Sequence, residues 1–409
     1  MSGNNLKHYD IVVIGGGVTG SSLVLALKGS GLKIAVIEAA RPSAKAAAGP
    51  ERAIALSYGS SRYLDHLGVW SEVRETGAAV ISEVHVAEPG YGGKVQMDRA
   101  QAGTEALGYV VELPLISRIL FKHAQDHAEI FCPARLLDLE RNDEGINVRL
   151  QDNEGERDIS ASLLVGADGT GSQLRKWAGI DCLGWDHNRF GLVASICPDR
   201  PHQGVAFECF RPSGPLALLP LDDKRCSIVW TLKPEDASRH LMMDEDRFLS
   251  ILAKEVGAEV RARLGRILEV GPRAVFPLEF RQARRYTDHR LALVGNAAHT
   301  IHPVAGQGLN LGMRDTVILA DVLSRAARVG RDVGEGIVLA EYSDRRCLDN
   351  AAVASFTEGL NRVFSNTIPP LRFLRGLGLD SMQKIPAARD WLMGQASGMS
   401  QLKSMGLKS

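Results

Sequence analysis

The stretch Tyr9-Asp10-Ile11-Val12-Val13-Ile14-Gly15-Gly16-Gly17-Val18-Thr19-Gly20 decides the fold of this chain. Its first half has the β-branched density of a strand buried in a parallel sheet. Gly15, Gly17 and Gly20 then fit G-x-G-x-x-G. The first glycine allows a tight turn, the second lets backbone approach a pyrophosphate, and the third lets helix pack on strand. A helix over 21–29 and a second strand over 33–37 follow, and Glu38 ends that strand eighteen positions beyond Gly20. An acidic side chain at this point accepts hydrogen bonds from a ribose diol. The glycine pattern alone is weak. With the strand before it, the helix after it and the acid beyond, it predicts a dinucleotide-binding βαβ unit rather than an incidental glycine-rich turn.

A second glycine-rich turn lies far downstream, in Gly295-Asn296-Ala297-Ala298-His299-Thr300-Ile301-His302-Pro303-Val304-Ala305-Gly306-Gln307-Gly308-Leu309-Asn310-Leu311-Gly312-Met313-Arg314-Asp315. The apolar run Leu291-Ala292-Leu293-Val294 precedes it and reads as a buried strand, and a helical pattern over 317–323 follows. Such a turn places bare backbone N–H groups at a helix N-terminus, where they attract negative charge. Two turns of this kind, so far apart in sequence, predict one extended cofactor gripped at both ends.

Two weaker signals lie between them. Ser162-Leu163-Leu164-Val165-Gly166-Ala167-Asp168-Gly169 is an apolar strand ending in Ala-Asp-Gly. Asp168 on that turn could accept hydrogen bonds from a ribityl hydroxyl or cap the helix after it; Arg175, near the helix start, could reach a phosphate or pair with Asp168. Arg52 follows the Ala-, Gly- and Pro-rich loop 44–50. It could meet a pyrophosphate or a flavin edge, or be a solvated loop cation.

The remaining composition narrows the class. At 409 residues the chain exceeds one ordinary core and is expected to hold two interleaved units. Hydrophobic residues make up 45%, charged residues 23%, and the formal net charge is +0, so nothing points to nucleic acid. The polar amino terminus and the lack of a long apolar run predict neither a signal peptide nor a bilayer span. The six cysteines are scattered without C-x-x-C, which argues against a dithiol centre or structural zinc and reads as reduced thiols in a cytoplasmic protein. His299 and His302 have no nearby Cys or carboxylate that completes a zinc set, so no metal site is expected.

Together these residues resemble the single-component aromatic hydroxylases of the p-hydroxybenzoate hydroxylase type, and within that group the ubiquinone-biosynthesis hydroxylases. The resemblance runs from about Asp10 to Asp349, with the motifs in the family's order. Val84-His85-Val86, Val110-Val111-Glu112-Leu113, Gly214-Pro215-Leu216-Ala217-Leu218-Leu219-Pro220-Leu221 and Gly295-Asn296-Ala297-Ala298 are similar to the 2-polyprenyl-6-methoxyphenol hydroxylase branch. The resemblance implies FAD as cofactor, NAD(P)H as co-substrate, and a lipophilic prenylated phenol and O2 as substrates. It places Glu38 on the adenosine ribose, Arg52 near the flavin and pyrophosphate, and Arg118 as a polar contact to FAD. Asp168 would lie near the pyrophosphate and the path of the nicotinamide donor. Position 296 would meet the ribityl chain, while Pro303 and the turn of Gly306, Gly308, Leu309 and Asn310 would line the isoalloxazine. Asn296 departs from the family's usual Gly-Asp. It keeps an acceptor for a ribityl hydroxyl but loses the charge.

With no second G-x-G-x-x-G, no separate nicotinamide domain is expected, and the flavin must carry the hard step. The resemblance implies reduction of FAD by NAD(P)H, capture of dioxygen as a flavin C4a-hydroperoxide and attack on an electron-rich ring carbon. The helix N-terminus after Gly306 would stabilise charge at flavin N1 and O2. His302, adjoining Pro303, is the candidate for activating the phenol, against a histidine satisfied by backbone or facing solvent.

The expected class is therefore α/β. A Rossmann-like FAD-binding domain (1–183, with small inserted strands, and 285–345) is interleaved with a smaller antiparallel-sheet substrate domain (184–284), and a helical region (346–409) follows. Strand signals at 191–196, 204–210, 216–220 and 226–232 mark the substrate sheet. Phe207, Phe210, Leu218, Pro220 and Trp230 could line an apolar pocket there, although each alone reads more readily as core. Residues 368–379, with Arg372 and Arg375, mix apolar and basic side chains. Ordinary helix packing is the plainer reading; the alternative is an amphipathic surface for peripheral membrane contact or for other ubiquinone-biosynthesis proteins. Two rival functions stand beside the hydroxylase: another FAD enzyme of the same fold, such as a prenyl reductase, and a non-catalytic FAD-stabilised subunit. A halogenase is disfavoured by the lack of a W-x-W-x-I-P segment.

Overall fold

The structure, a computed structural model, describes residues 6–42, 52–88, 94–143, 145–211, 213–301 and 306–364, with 394, 397 and 398. Among these residues the strands form three sheets.

The first sheet grows from the opening strand, Lys7–Ile14, which pairs in parallel with Ile34–Ile37 on one side and Gly155–Gly166 on the other. Leu291–Leu293 adds in parallel to Gly155–Gly166, and Glu129–Phe131 to Ile34–Ile37. Registers align the carboxyl ends: Ile14 lies beside both Ile37 and Gly166, and Gly166 beside Leu293. Gly15, Glu38, Ala167 and Gly295 therefore leave the sheet at one common edge. In open parallel sheets this is the edge that binds ligands. Ile11, Val12 and Val13 are fully buried, as expected of a strand covered on both faces.

The first helix is Val18–Ala26, starting three residues before the expected 21–29 because Gly17 itself serves as the N-cap. The second glycine-rich turn behaves alike. Its helix, Gln307–Arg328, begins directly after Gly306, well before the apolar pattern at 317–323 becomes regular. It packs against Val18–Ala26 and against the long helix Gly336–Phe364, which passes through residue 346 without a break.

The second sheet has the order His299–Thr300, Ala274–Ala283, Cys182–Pro198, Cys226–Leu232, Leu216–Pro220, Val205–Cys209, Glu83–Ala87 and Lys94–Asp98, with Ile267–Val270 on the side. All four substrate-sheet signals are strands. The sheet departs from purely antiparallel at one junction, because Val205–Cys209 runs parallel to Glu83–Ala87. Residues 83–98, early in the chain, thus complete the later sheet. Helices Pro234–Met242, Glu245–Glu255 and Gly257–Leu264 cover one face, over a core that includes Phe207, Leu218, Ile228 and Trp230.

The third sheet is small: Gly108–Glu112 between Ala53–Ser57 and Ala79–Ile81. It faces the uncovered side of the second sheet. Ile81, Val110, Ala206 and Phe210 form one cluster there, with Ala53, Ala55 and Val86 against it.

Candidate functional site

The amino-terminal turn is built by close backbone approach. Gly15 has φ +101°, and a Cβ on it would come within 2.5 Å of the Ala167 carbonyl oxygen. A Cβ on Gly20 would overlap the Gly15 carbonyl oxygen, so this glycine serves helix–strand contact. Gly17 is different: a Cβ there would meet nothing within 4 Å, although Gly17 caps a helix with no side-chain cap. Open space in front of an uncapped helix start is the cradle that a pyrophosphate needs. The residues fit FAD at this end.

Glu38 closes the same turn. Its Oε2 accepts the Gly16 N–H at 2.6 Å and its Oε1 the Ala40 N–H at 3.0 Å. A carboxylate has about four acceptor sites, so two remain for a ribose diol. Arg118 is exposed on the helix Leu113–Ala124, one turn before Phe121, whose ring would touch a Cβ on Gly16 at 2.8 Å.

Asp168 takes the capping option. Its Oδ2 accepts the Gln173 N–H at 2.7 Å and the Leu174 N–H at 3.2 Å. Its Oδ1 is buried without a partner among the described residues, so one acceptor remains on the sheet's ligand edge. Arg175 does not pair with Asp168. Its buried guanidinium donates to the Ala297 carbonyl at 2.8 Å and the Thr170 carbonyl at 2.7 Å, tying two of the turns together.

At the second turn, Gly306 has φ +61° and starts Gln307–Arg328 without a side-chain cap. A Cβ on it would press on Ala55 at 2.9 Å. Gly308 is open, with only Ile301 at 4.0 Å, and Leu309 is half-buried against the neighbouring core. The Asn310 side chain is committed to protein. Oδ1 accepts the Ser57 N–H at 3.0 Å and the Ser60 hydroxyl at 2.7 Å, while Nδ2 donates to Ala55 at 3.2 Å and Gly306 at 2.9 Å. It locks the turn to the small sheet and has no side-chain group left for a ligand. Asn296 is exposed beside Gly295, where a ribityl hydroxyl could reach it. His302 and Pro303 lie outside the described residues, as do 368–379.

Arg52 is exposed at the start of the small sheet, with its guanidinium 5.6 Å from the centre of the Phe276 ring in the second sheet. It marks the mouth of a cleft between the two sheets. Of the expected pocket residues only Phe210 lies on the cleft side. Phe207, Leu218 and Trp230 belong to the core under the helices, and Pro220 shares the parity of Leu218. Strand alternation, not residue type, decides this: the largest rings went to the helix-covered face.

Two features were not anticipated from sequence. Behind the Gly295 turn, Asp315 is fully buried and joins Gly295, His299 and Arg346. Burial raises its carboxyl, but His299 and Arg346 outweigh that and hold it far below the usual range. The second is Glu208. Registers align Val86, Glu208, Ala217, Val229, Val193 and Ala274 in one row across the cleft face. Glu208 is its only charge. The signal existed in Val205-Ala206-Phe207-Glu208-Cys209-Phe210, where one acid interrupts an apolar strand.

The six cysteines are all free. Among the described residues no group of His, Cys, Asp and Glu is arranged to hold a metal, and no helix is long and apolar enough to cross a membrane.

Comparison with known proteins agrees with this geometry. The profile of a family described as FAD binding domain matches residues 8–357. The ubiquinone hydroxylase UbiL of Rhodospirillum rubrum is 35% identical, with 98% of this chain and 92% of that protein covered. The 3-demethoxyubiquinol 3-hydroxylase of Escherichia coli is 34% identical, with 95% and 98% covered. Among solved structures, p-nitrophenol 4-monooxygenase PnpA from Pseudomonas putida superposes with a TM-score of 0.79 over 99% of this chain and 100% of that one; at 19% identity it shows the shared fold.

Proposed function

Because the chain belongs to the FAD binding domain family, as an FAD-dependent monooxygenase, we propose that it hydroxylates the ring of a polyprenylated methoxyphenol in ubiquinone biosynthesis. One observation carries the reading: a ubiquinone hydroxylase is 35% identical across nearly the whole of both chains. The two glycine turns support it, since they form a cradle for a dinucleotide flavin beside a cleft with a largely apolar wall.

When bound, FAD supplies redox chemistry: it takes electrons from NAD(P)H and activates O2. The chain's own part is binding, orientation and electrostatics. Backbone N–H groups from Gly17 onward, at a helix start, would hold the pyrophosphate, and Glu38 would hold the ribose. Asn296 and the free Asp168 oxygen offer acceptors to the middle of the cofactor. The N-terminus of Gln307–Arg328 favours negative charge at the far end. Arg52, whose guanidinium lies over Phe276 between the sheets, would lie near the flavin and pyrophosphate. The apolar cleft face keeps water from the reacting ring.

The names of these relatives point to hydroxylation, and one of them gives a ring position, 3, while the other gives none. A short-tailed 2-prenyl-6-methoxyphenol, NAD(P)H and labelled dioxygen, given to purified FAD-loaded protein, test the reading. One labelled oxygen on the ring, located by NMR, is the expected result. NAD(P)H oxidation without any labelled product would favour a reductase, and flavin that never reduces would favour a non-catalytic subunit.

A further inference from the structure

Glu208 has no structural task among the described residues. Phe207 and Cys209 beside it point into the core under the helices, so Glu208 points the other way, with Ala206 and Phe210, toward the small sheet. Val86 and Ala217 are its cross-strand neighbours. No hydrogen bond or ion pair to its carboxylate exists among the described residues. A carboxylate held in an apolar wall without a partner costs stability, and such groups concentrate where a site uses them.

The floor opposite is the cofactor's own support. Ala55 packs into the same cluster as Ala206 and Phe210, and its Cβ also lies against the Gly306 turn. Glu208 thus lies on the sheet face that meets Ala55, the residue against which the second glycine turn rests. On the same sheet face Phe276 carries the Arg52 guanidinium. The proposed function requires a flat ring between this face and the flavin.

The charged groups around it leave Glu208 alone in this role. On the opposite face His85 pairs with both Glu83 and Glu259, and Arg211 pairs there with Glu255. Among the described residues the titratable groups on the cleft side are Glu88, just past the end of Glu83–Ala87, Glu112, which shares the parity of Val110 on the small sheet, and Arg52 at the mouth.

We propose that Glu208 accepts the proton of the substrate's ring hydroxyl. This rests on the hydroxylase reading above. The O–H bond of the ring hydroxyl breaks and its proton passes to a Glu208 oxygen. The electron pair stays on the ring oxygen and raises electron density at the carbon that forms the new C–O bond. After oxygen transfer that carbon loses its hydrogen as a proton, and Glu208 returns its own proton to the ring oxygen. The two electrons come from NAD(P)H, and the second oxygen atom leaves as water. Burial pushes the Glu208 carboxyl up to about 7, which suits a base that must both take and return a proton near neutrality.

Glu208→Gln in the FAD-loaded full chain tests this. Product formation should fall by about 10²-fold while NAD(P)H oxidation continues, with peroxide released instead. The wild-type rate should rise with pH through about 7 and the variant's should not. Glu208→Asp should recover part of the rate. A structural acid would destabilise the protein when replaced. Here the Gln variant should melt at or above the wild-type temperature at pH 8, where the unpaired carboxylate is charged. A Gln variant that keeps its product rate within about twofold and its pH profile overturns the proposal and leaves the hydroxylase reading standing. If wild-type protein makes no product, that reading fails, and fluorine NMR of a bound fluorinated 2-methoxyphenol decides for Glu208. A fluorine signal moved toward the phenolate shift in wild type but not in Glu208→Gln supports the proton acceptor; identical spectra, or no binding to either protein, overturn it.

Discussion

Asp315 Oδ2 lies 2.6 Å from His299 Nε2, and the same oxygen accepts the Gly295 N–H at 2.9 Å. One carboxylate thereby fixes the start of the second glycine turn against the helix that follows it. Arg346 completes the set at 2.8 Å on the other oxygen, and also reaches Asp349 and Asn350. Removing the Asp315 charge would leave the buried Arg346 guanidinium with only the partly exposed Asp349 as counter-charge.

Asp315→Asn should therefore cost about 3–5 kcal/mol of unfolding free energy, read from urea denaturation of FAD-loaded protein. The pH dependence has a definite sign. A carboxyl held below its unfolded value stabilises fully above about pH 4 and loses that contribution as pH falls toward its folded value. The wild-type stability should fall steeply below about pH 4, and the variant's less so. Equal slopes would remove Asp315 from the account.

Gly17 and Gly20 share a motif but should fail differently. Gly17→Val adds atoms only to open space, so the apoprotein should keep its circular dichroism and melting temperature while losing stoichiometric flavin. Gly20→Ala drives a methyl into the Gly15 carbonyl and should lower the melting temperature itself. Normal flavin content in Gly17→Val would mean that the cofactor lies elsewhere.

Asn310→Ala deletes four hydrogen bonds and leaves the Ser57 N–H and Ser60 hydroxyl buried without that acceptor. A loss of about 2–4 kcal/mol is expected, at the level of one or two orphaned groups plus the bonds themselves. Since the side chain makes no free ligand contact, flavin affinity should drop only as far as the turn loosens. A variant of unchanged stability with much weaker flavin would instead make Asn310 a direct ligand.

Burial pushes the thiols of Cys209 and Cys226 to about 12. In native protein at pH 8 both should resist a disulfide reagent, and the half-buried Cys182, Cys197 and Cys347 should react first. Mass mapping of labelled peptides checks the order; early labelling at Cys226 would contradict the buried placement.

The cofactor half was legible because its signals are local. Strand, glycine turn, helix and acid follow one another within Tyr9–Glu38, and each glycine's task follows from chain geometry alone. The strands at 191–232 were legible for the same reason. What escaped depends on partners far away in sequence. Nothing near Asp315 announces Arg346, and nothing near Val205–Cys209 announces a parallel neighbour from residues 83–87. Pocket and core could not be told apart among these residues because hydrophobicity does not say which face of a sheet is covered. Alternation separates Phe207 from Glu208, but only the helices over 234–264 reveal which side is core.

Leu291–Leu293 docks on Gly155–Gly166, and Asn310 grips Ser57 from 253 positions away. During synthesis, the segment before Leu291 therefore leaves the ribosome with an open parallel strand edge and with the Ser57 end of the small sheet lacking its Asn310 acceptor. Long-range pairing of this kind is slow and leaves sticky edges exposed. A nascent chain of this protein should depend on chaperones until its last third emerges, and truncation before Leu291 should give aggregate rather than a smaller flavoprotein.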